Sequence, residues 1–194
     1  MRQLILASTS PYRKKLLEQL QLPFVAAAPD FEEQIDTNIE PELLVQHLAL
    51  GKAQSLEKQY PDALIIGSDQ IFVDPRGRAI GKPGNLDNAF AQLKEMVGCT
   101  HTFYTGLVLF DSRTGVVSSD VVTFSVTLRP LTDAQILNYL QREQPFDCAG
   151  SFKVEGLGIT LMERMAGDDY NSLIGLPLIK LVSMLEDAEV PVLG

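Results

Sequence analysis

The chain has 194 residues, carries a formal net charge of −9 at pH 7 and is 45% hydrophobic. This balance is typical of a globular protein with a core of its own and excludes a disordered or fibrous chain. The acidic charge, with no basic run longer than Arg13–Lys15, argues against a nucleic-acid-binding protein, which usually displays a basic stripe.

The first part of the chain reads as alternating strands and helices. Leu4–Ala7 is an apolar run that predicts a buried strand and is too short for the core of a signal peptide. Ser10 and Pro11 suit the N-cap and the first position of a helix. A second strand is predicted over residues 22–28, and the acidic residues 30–40 are predicted to be irregular.

The rest of the chain adds hairpins to this pattern. Its predicted elements are a helix over 40–60, a strand over 63–73 with a hairpin return at 79–80, a helix from Asn85 or Asp87 to 97, strands over 101–110 and 116–128, a helix over 132–142, a glycine-rich extended stretch over 146–162 and a last helix from 176. Hairpins beside strand–helix units favour an α/β fold with a mixed sheet. The chain length suggests a single domain over residues 1–194. No run is long enough to span a membrane, so we expect this domain in the cytoplasm.

Asp69 is a carboxylate in the middle of an otherwise apolar strand. The segments Leu64–Gly67 and Ile71–Val73 flank it, and a charge in such surroundings is costly unless it is paired or binds a metal. Functional sites of α/β proteins are built at strand ends, and Gly67 allows a ligand or another backbone to approach closely. The alternative is an aspartate that caps its own turn, but we favour a functional carboxylate.

Two cations lie on helix faces that are otherwise apolar. Arg13 is one turn inside the first predicted helix and faces the loop Ser8–Ser10, where free N–H groups and the helix dipole favour an anion. Lys52 lies between Leu48 and Leu56 on the apolar stripe of the long helix, and a buried lysine needs an acid or a bound anion as its partner. The alternatives are a surface arginine with an apolar stem and a lysine whose ammonium reaches water.

These residues belong to a larger set of short motifs. The set comprises Ser8-Thr9-Ser10-Pro11-Tyr12-Arg13-Lys14, Ala28 to Glu33, Ala49 to Ala53, Ile66 to Gln70, Gly81-Lys82-Pro83, His101 to Gly106 and Asn171 to Pro177. Each motif alone is weak, but as an ordered set over nearly the whole chain they resemble the Maf family of nucleotide pyrophosphatases.

The resemblance implies a strongly twisted, mixed sheet flanked by helices, with a cleft between two lobes, as in inosine triphosphatase. It implies an enzyme that cuts a nucleoside triphosphate between the α- and β-phosphates with a divalent metal, Mg²⁺ or Mn²⁺. Asp69 matches the general base, and Glu33 and Asp69 are the expected metal ligands. The residues expected to hold the triphosphate and assist its cleavage are Lys52, Lys82, Arg13 and Ser8. A homodimer is expected on the resemblance alone.

Three further positions, Tyr12, Gln70 and Glu155, resemble the subgroup that hydrolyses 7-methylguanosine triphosphate. An aromatic ring such as that of Tyr12 attracts a positively charged, methylated guanine, and the carboxylate of Glu155 accepts hydrogen bonds from the guanine N1–H and amino group. Two alternatives remain at this point. One is a pyrophosphatase for dTTP or UTP with the same machinery, and the other is a non-catalytic nucleotide-binding regulator of septum formation.

Overall fold

A computed structural model describes residues 2–32 and 39–194 of the chain. The strands within these residues are β1 (Gln3–Ala7), β2 (Val25–Ala27), β3 (Ala63–Val73), β4 (Thr100–Asp111), β5 (Val117–Leu128) and β6 (Met162–Ala166). The α-helices are α1 (Pro11–Glu18), α2 (Pro41–Gln54), α3 (Leu86–Met96), α4 (Asp133–Glu143), α5 (Tyr170–Ile174) and α6 (Leu178–Asp187). No helix in this part of the chain is both long and apolar enough to cross a membrane.

The six strands form one sheet in the order β2-β1-β3-β4-β5-β6. Strand β1 pairs in parallel with β2 and with β3, whereas β6 runs antiparallel to β5. The sheet is therefore mixed, and the α/β fold class predicted from the sequence is confirmed.

Backbone contacts divide the chain into two compact units. The first unit falls within Met1–Gln70, Tyr104–Thr123 and Asp168–Gly194, and the second within Ile71–Phe103 and Phe124–Gly167. The first unit therefore holds β1, β2, α1, α2, α5 and α6, and the second holds α3, α4 and β6.

Strand β1 is buried on both of its faces in the first unit. Leu4 and Leu6 belong to the cluster that α1 and α6 complete, and Ile5 and Ala7 belong to the cluster that α2 completes. Successive side chains of a strand point to opposite faces of the sheet, so the apolar run Leu4–Ala7 supplies both clusters. Such a run is the pattern expected of a parallel strand covered on both sides.

Gly67 allows α2 to pack directly on β3. A Cβ atom at this position would lie 2.1 Å from the carbonyl oxygen of Ala49, so any side chain here would push the helix away. Ala49 lies one turn before Lys52, and Asp69 follows Gly67 on the same face of the strand. The close approach therefore brings Lys52 over the strand beside Asp69.

The second unit has an aromatic core. The rings of Phe72 and Phe103 stack with their centroids 4.0 Å apart, and Phe152 meets both rings edge-on. Helix α4 begins where the sequence predicted, because Thr132 and Gln135 form a capping box.

The long helix ends earlier than predicted. Helix α2 stops at Gln54, and the residues after it form turns, in which the N–H of Leu56 donates to the carbonyl of Ala53. The hydroxyl of Ser55 donates to the carbonyl of Lys52, and such local side-chain bonds compete with the helical ladder. The prediction of a helix reaching residue 60 was therefore wrong.

The glycine-rich stretch over 146–162 is not extended. It contains two short 3₁₀ helices, Ala149–Ser151 and Leu157–Leu161, and Gly150 adopts a φ of 75° inside the first. The short elements β6 and α5 were not predicted, because five residues are too few to display a clear period.

Candidate active site

Lys52 and Asp69 form a buried ion pair in the first unit. Lys52 is only 6% exposed, and its Nζ lies 2.5 Å from Oδ1 of Asp69. The prediction that Lys52 must meet an acid or an anion is confirmed by this contact. Because each charge compensates the other, the removal of either partner leaves an uncompensated buried charge.

The Asp69 carboxylate is partly accessible to solvent. Its side chain is 13% exposed, compared with 8% for the side chain of Lys52. The bond from Lys52 reaches Oδ1, so chemistry at Oδ2 does not require this bond to break. An ionised carboxylate offers about four lone-pair positions, which suffice for one ammonium and for either a water proton or a cation.

The turn between α5 and α6 holds the proposed phosphate-binding arginine. Arg13 donates from Nε to the carbonyl oxygen of Gly175 at 2.8 Å, and Ser68 donates from Oγ to the same oxygen at 3.0 Å. Gly175 has a φ of 123°, a backbone conformation that residues other than glycine rarely adopt. One backbone carbonyl thus links α1 to the residue that precedes Asp69.

The start of α1 is built as the sequence predicted. Ser10 caps the helix by accepting from the N–H of Arg13 at 3.4 Å, and the N–H of Ser10 donates to Oγ of Ser8 at 3.1 Å. Ser8 is buried and thus belongs to the framework of this loop. Its bond to Ser10 uses only an acceptor position of the hydroxyl, which also carries one donor. Tyr12, in the first turn of α1, is exposed.

Gln70 braces α5 against the sheet. Its Nε2 donates to Oγ1 of Thr105 at 2.9 Å and to the carbonyl of Ser172 at 2.7 Å. Thr105 in turn donates to the same Ser172 carbonyl at 2.9 Å. Because the carbonyl of Ser172 can only accept a hydrogen bond, the amide atom that faces it must be the nitrogen of Gln70. A substrate contact by Gln70 would therefore have to use Oε1.

Asp169 supports this network and was not singled out in the sequence. It is 3% exposed, and its Oδ1 accepts from the N–H of Asn171 while its Oδ2 accepts from the N–H of Ile179, both at 2.8 Å. One carboxylate therefore caps α5 and ties it to the first turn of α6. The signal that could have revealed it is an aspartate directly before a short segment with an asparagine two positions later.

The remaining predicted residues belong to the second unit or lie outside the described residues. Lys82 and Glu155 are exposed residues of the second unit, and Glu33 lies outside the described residues. Within residues 2–32 and 39–194, no three His, Cys, Asp or Glu side chains are grouped to hold a metal. Asp69 still fits a magnesium-type ion, which takes one or two carboxylates and completes its shell with substrate phosphates and water.

Comparisons with known proteins agree over nearly the full length of the chain. A family model described as Maf-like protein matches residues 3–188. A protein named 7-methyl-GTP pyrophosphatase from Syntrophotalea carbinolica is 61% identical over all of this chain and 98% of its own length. A protein of the same name from Colwellia psychrerythraea is 50% identical over all of this chain and 96% of its own length.

A solved structure supports the fold. The Ham1 protein of Staphylococcus aureus superposes with a TM-score of 0.54 over 96% of this chain and 99% of its own, at 10% identity. At this identity the likeness concerns the fold alone.

Proposed function

The chain belongs to the Maf family, as its motifs predicted, and from this premise we propose that it is a 7-methyl-GTP pyrophosphatase. The reaction converts 7-methyl-GTP and water into 7-methyl-GMP and pyrophosphate. Two full-length relatives that bear this name support the substrate. The observation that carries the chemistry is the buried Lys52–Asp69 pair, at the point in β3 where the apolar run gives way to polar residues.

Asp69 acts as the general base in this proposal. Water attacks the α-phosphorus, its proton passes to the Asp69 carboxylate, and the bond from the α-phosphorus to the bridging oxygen of the β-phosphate breaks. Pyrophosphate leaves with that oxygen. Lys52 holds Oδ1 of Asp69, which orients the carboxylate, and its positive charge offsets the negative charge of the phosphates.

Arg13, Ser8 and the N-terminus of α1 bind the triphosphate in this proposal. The guanidinium is oriented by its bond to Gly175, and the first N–H groups of a helix favour an anion. We assign Lys82, the cation of the Gly-Lys-Pro loop, to the same polyphosphate. These cations are required because a protein with a net charge of −9 otherwise repels a polyanion.

A divalent cation, Mg²⁺ or Mn²⁺, bound by Asp69 and Glu33, would stabilise the negative charge that develops on the phosphate oxygens. The contribution of the chain is the pair of carboxylates. Asp69 is held by Lys52, and Glu33 is assigned by its motif position alone.

We assign recognition of the base to Tyr12, Gln70 and Glu155. In this proposal the exposed ring of Tyr12 stacks on the cationic methylguanine. The exposed carboxylate of Glu155 accepts from the N1–H and amino group of guanine, and Gln70 offers Oε1. We further propose that the enzyme works in the cytoplasm as a homodimer.

The test is a panel of triphosphates, with pyrophosphate release as the measured quantity in the presence of Mg²⁺ or Mn²⁺. We expect the highest kcat/KM for 7-methyl-GTP, and lower values for GTP, dTTP and UTP. The Asp69→Asn variant should lose at least about 100-fold in kcat, the range for the loss of a general base, while its circular dichroism spectrum stays that of the wild type. A preference for dTTP or UTP would overturn the substrate, and an Asp69→Asn variant with full activity would remove Asp69 from the mechanism.

A further inference from the structure

Residues 153–158 of the second unit form a turn that closes on one carbonyl group. The carbonyl oxygen of Lys153 accepts from the N–H of Gly156 at 3.2 Å and from the N–H of Gly158 at 2.9 Å. A Cβ atom at Gly158 would lie 2.3 Å from that oxygen, so the closed turn requires glycine there. Glu155, at the tip of this turn, is exposed.

Helix α4 holds both ends of this turn. The N–H of Lys153 donates to the phenolic oxygen of Tyr139 at 3.1 Å, and the N–H of Leu157 donates to Oε2 of Glu143 at 2.7 Å. Tyr139 and Glu143 are four residues apart and thus lie on one face of the helix. The two helical side chains are therefore spaced so that each accepts a hydrogen bond from a backbone N–H, one before and one after Glu155.

The surroundings of Tyr139 and Glu143 favour these two hydrogen bonds. A Cβ atom at Gly156 would lie 2.8 Å from Oε1 of Glu143, so the backbone passes directly over this carboxylate. Leu157 begins a 3₁₀ helix, and its N–H is one of the groups that such a helix leaves without an internal partner. Tyr139 is buried, and this burial raises its pKa, so its phenol stays neutral.

We propose that Tyr139 and Glu143 are positioning residues that set the preference for the methylated guanine by fixing the turn that carries Glu155. The proposal rests on the proposed function, in which the carboxylate of Glu155 reads the base. A carboxylate on a free loop would adapt to many bases, whereas one on a fixed turn has its acceptors pre-oriented, and pre-organisation raises affinity for the matching ligand. The α4 clamp, meaning Tyr139 and Glu143 together, does not take part in the bond cleavage.

The test compares Tyr139→Phe and Glu143→Ala with the wild-type enzyme. Each variant removes one acceptor, and the ratio of kcat/KM for 7-methyl-GTP to that for UTP should fall about tenfold, the effect of one lost hydrogen bond on a binding geometry. The change should appear as a higher KM for 7-methyl-GTP with kcat within about twofold of the wild type, because the Lys52–Asp69 pair is untouched. Glu143→Gln, which retains an acceptor oxygen, should keep most of the preference.

Hydrogen exchange provides a second readout that does not depend on the substrate. The amide of Lys153 should exchange faster in Tyr139→Phe, and the amide of Leu157 should exchange faster in Glu143→Ala. Gln141→Ala, a change at an exposed residue of the same helix, is the control and should alter neither exchange nor preference.

The outcomes separate this inference from the function on which it rests. A wild-type enzyme without preference for 7-methyl-GTP would overturn the proposed function. A selective wild-type enzyme whose preference is unchanged in both Tyr139→Phe and Glu143→Ala would overturn the clamp alone. Unchanged amide protection at Lys153 and Leu157 in these variants would also overturn the clamp, whichever substrate the enzyme prefers.

Discussion

Nε of Arg13 donates a hydrogen bond to the carbonyl oxygen of Gly175 at 2.8 Å, which joins the first helix to the turn between the last two. The two residues are 162 positions apart in the chain. Because Ser68 donates to the same oxygen, one backbone carbonyl orients the proposed phosphate-binding cation and anchors the neighbour of the proposed base. The geometry of the proposed triphosphate site therefore depends on a backbone group far away in the chain.

Gly175→Ala tests this dependence. The φ of 123° is strained for alanine, and the new Cβ would lie 3.4 Å from Nε of Arg13. We expect a loss of about 1 kcal/mol or more in the free energy of unfolding. We also expect a KM for the triphosphate about tenfold higher, because a displaced guanidinium loses binding energy to the phosphates. Urea unfolding and steady-state kinetics measure the two effects.

Gly115→Ala is the matched control for the backbone strain. Gly115 also has a positive φ, 75°, but a Cβ atom there meets nothing within 4 Å. This variant should lose stability and keep its KM. If Gly175→Ala likewise kept the wild-type KM, the link between the turn and Arg13 would have no role in substrate binding.

The Lys52–Asp69 pair should show strong coupling in a double-mutant cycle. Lys52→Met leaves a mostly buried carboxylate without its ammonium, and we expect it to lower the free energy of unfolding by about 3 kcal/mol. Adding Asp69→Asn removes the stranded charge and should restore at least about 1 kcal/mol of this loss. Urea unfolding of the wild type, both single variants and the double variant gives the coupling energy.

Lys94→Met is the control for that cycle. Lys94 pairs with Asp133 at 2.9 Å, but both side chains are more than half exposed, and exposed pairs contribute about 0–1 kcal/mol. Equal losses in Lys52→Met and Lys94→Met would contradict the view that burial makes the Lys52–Asp69 pair costly to break.

The cost of buried charge made it predictable from the sequence that Lys52 and Asp69 each need a partner, but not that they pair with each other. Lys52 stands on an apolar helical stripe and Asp69 stands in an apolar strand, so each needed a partner of opposite charge. The apolar strand β1 and the N-cap of α1 were also predictable, because each is a local pattern with one favourable structure.

Contacts between distant parts of the chain could not be predicted in this way. The motif resemblance assigned Gln70 to the substrate, whereas its Nε2 holds Thr105 and Ser172, which lie 35 and 102 positions further along the chain. Helix α5 is too short to have a period and depends on Asp169 at its N-cap. The assignment of Glu33 as a metal ligand remains a prediction, because this residue is outside the described part of the chain.

Glu155→Gln should weaken the selectivity for the methylated guanine. An amide can present an N–H where the carboxylate presented only acceptors, so it matches the donor groups of guanine less well. We expect the ratio of kcat/KM for 7-methyl-GTP to that for UTP to fall roughly 10- to 100-fold. Glu163→Gln, which changes an exposed acid on β6 of the same unit, should leave the ratio unaltered. If Glu155→Gln kept the wild-type ratio, residues other than Glu155 would have to recognise the base.

His101 should make the protein less stable in mild acid. It is 2% exposed, its Nε2–H donates to the carbonyl of Met96 at 3.1 Å, and its Nδ1 is buried without a partner among the described residues. Burial lowers the pKa of His101 below the usual 6.5, outweighing the Met96 carbonyl and Asp74, which act in the opposite direction. A proton therefore binds the unfolded chain more tightly than the folded one.

The sign of this pH effect follows from proton linkage. The stability contributed by neutral His101 is fully present above about pH 6.5 and is lost as the pH falls toward its lowered folded-state pKa, at up to about 1.4 kcal/mol per pH unit. His101→Gln keeps a donor for Met96 but does not titrate, so its urea midpoint should fall less between pH 7 and pH 5 than that of the wild type. His47→Gln, at an exposed position, should follow the wild-type profile. Equal acid sensitivity in His101→Gln and the wild type would mean that the acid-labile group lies elsewhere.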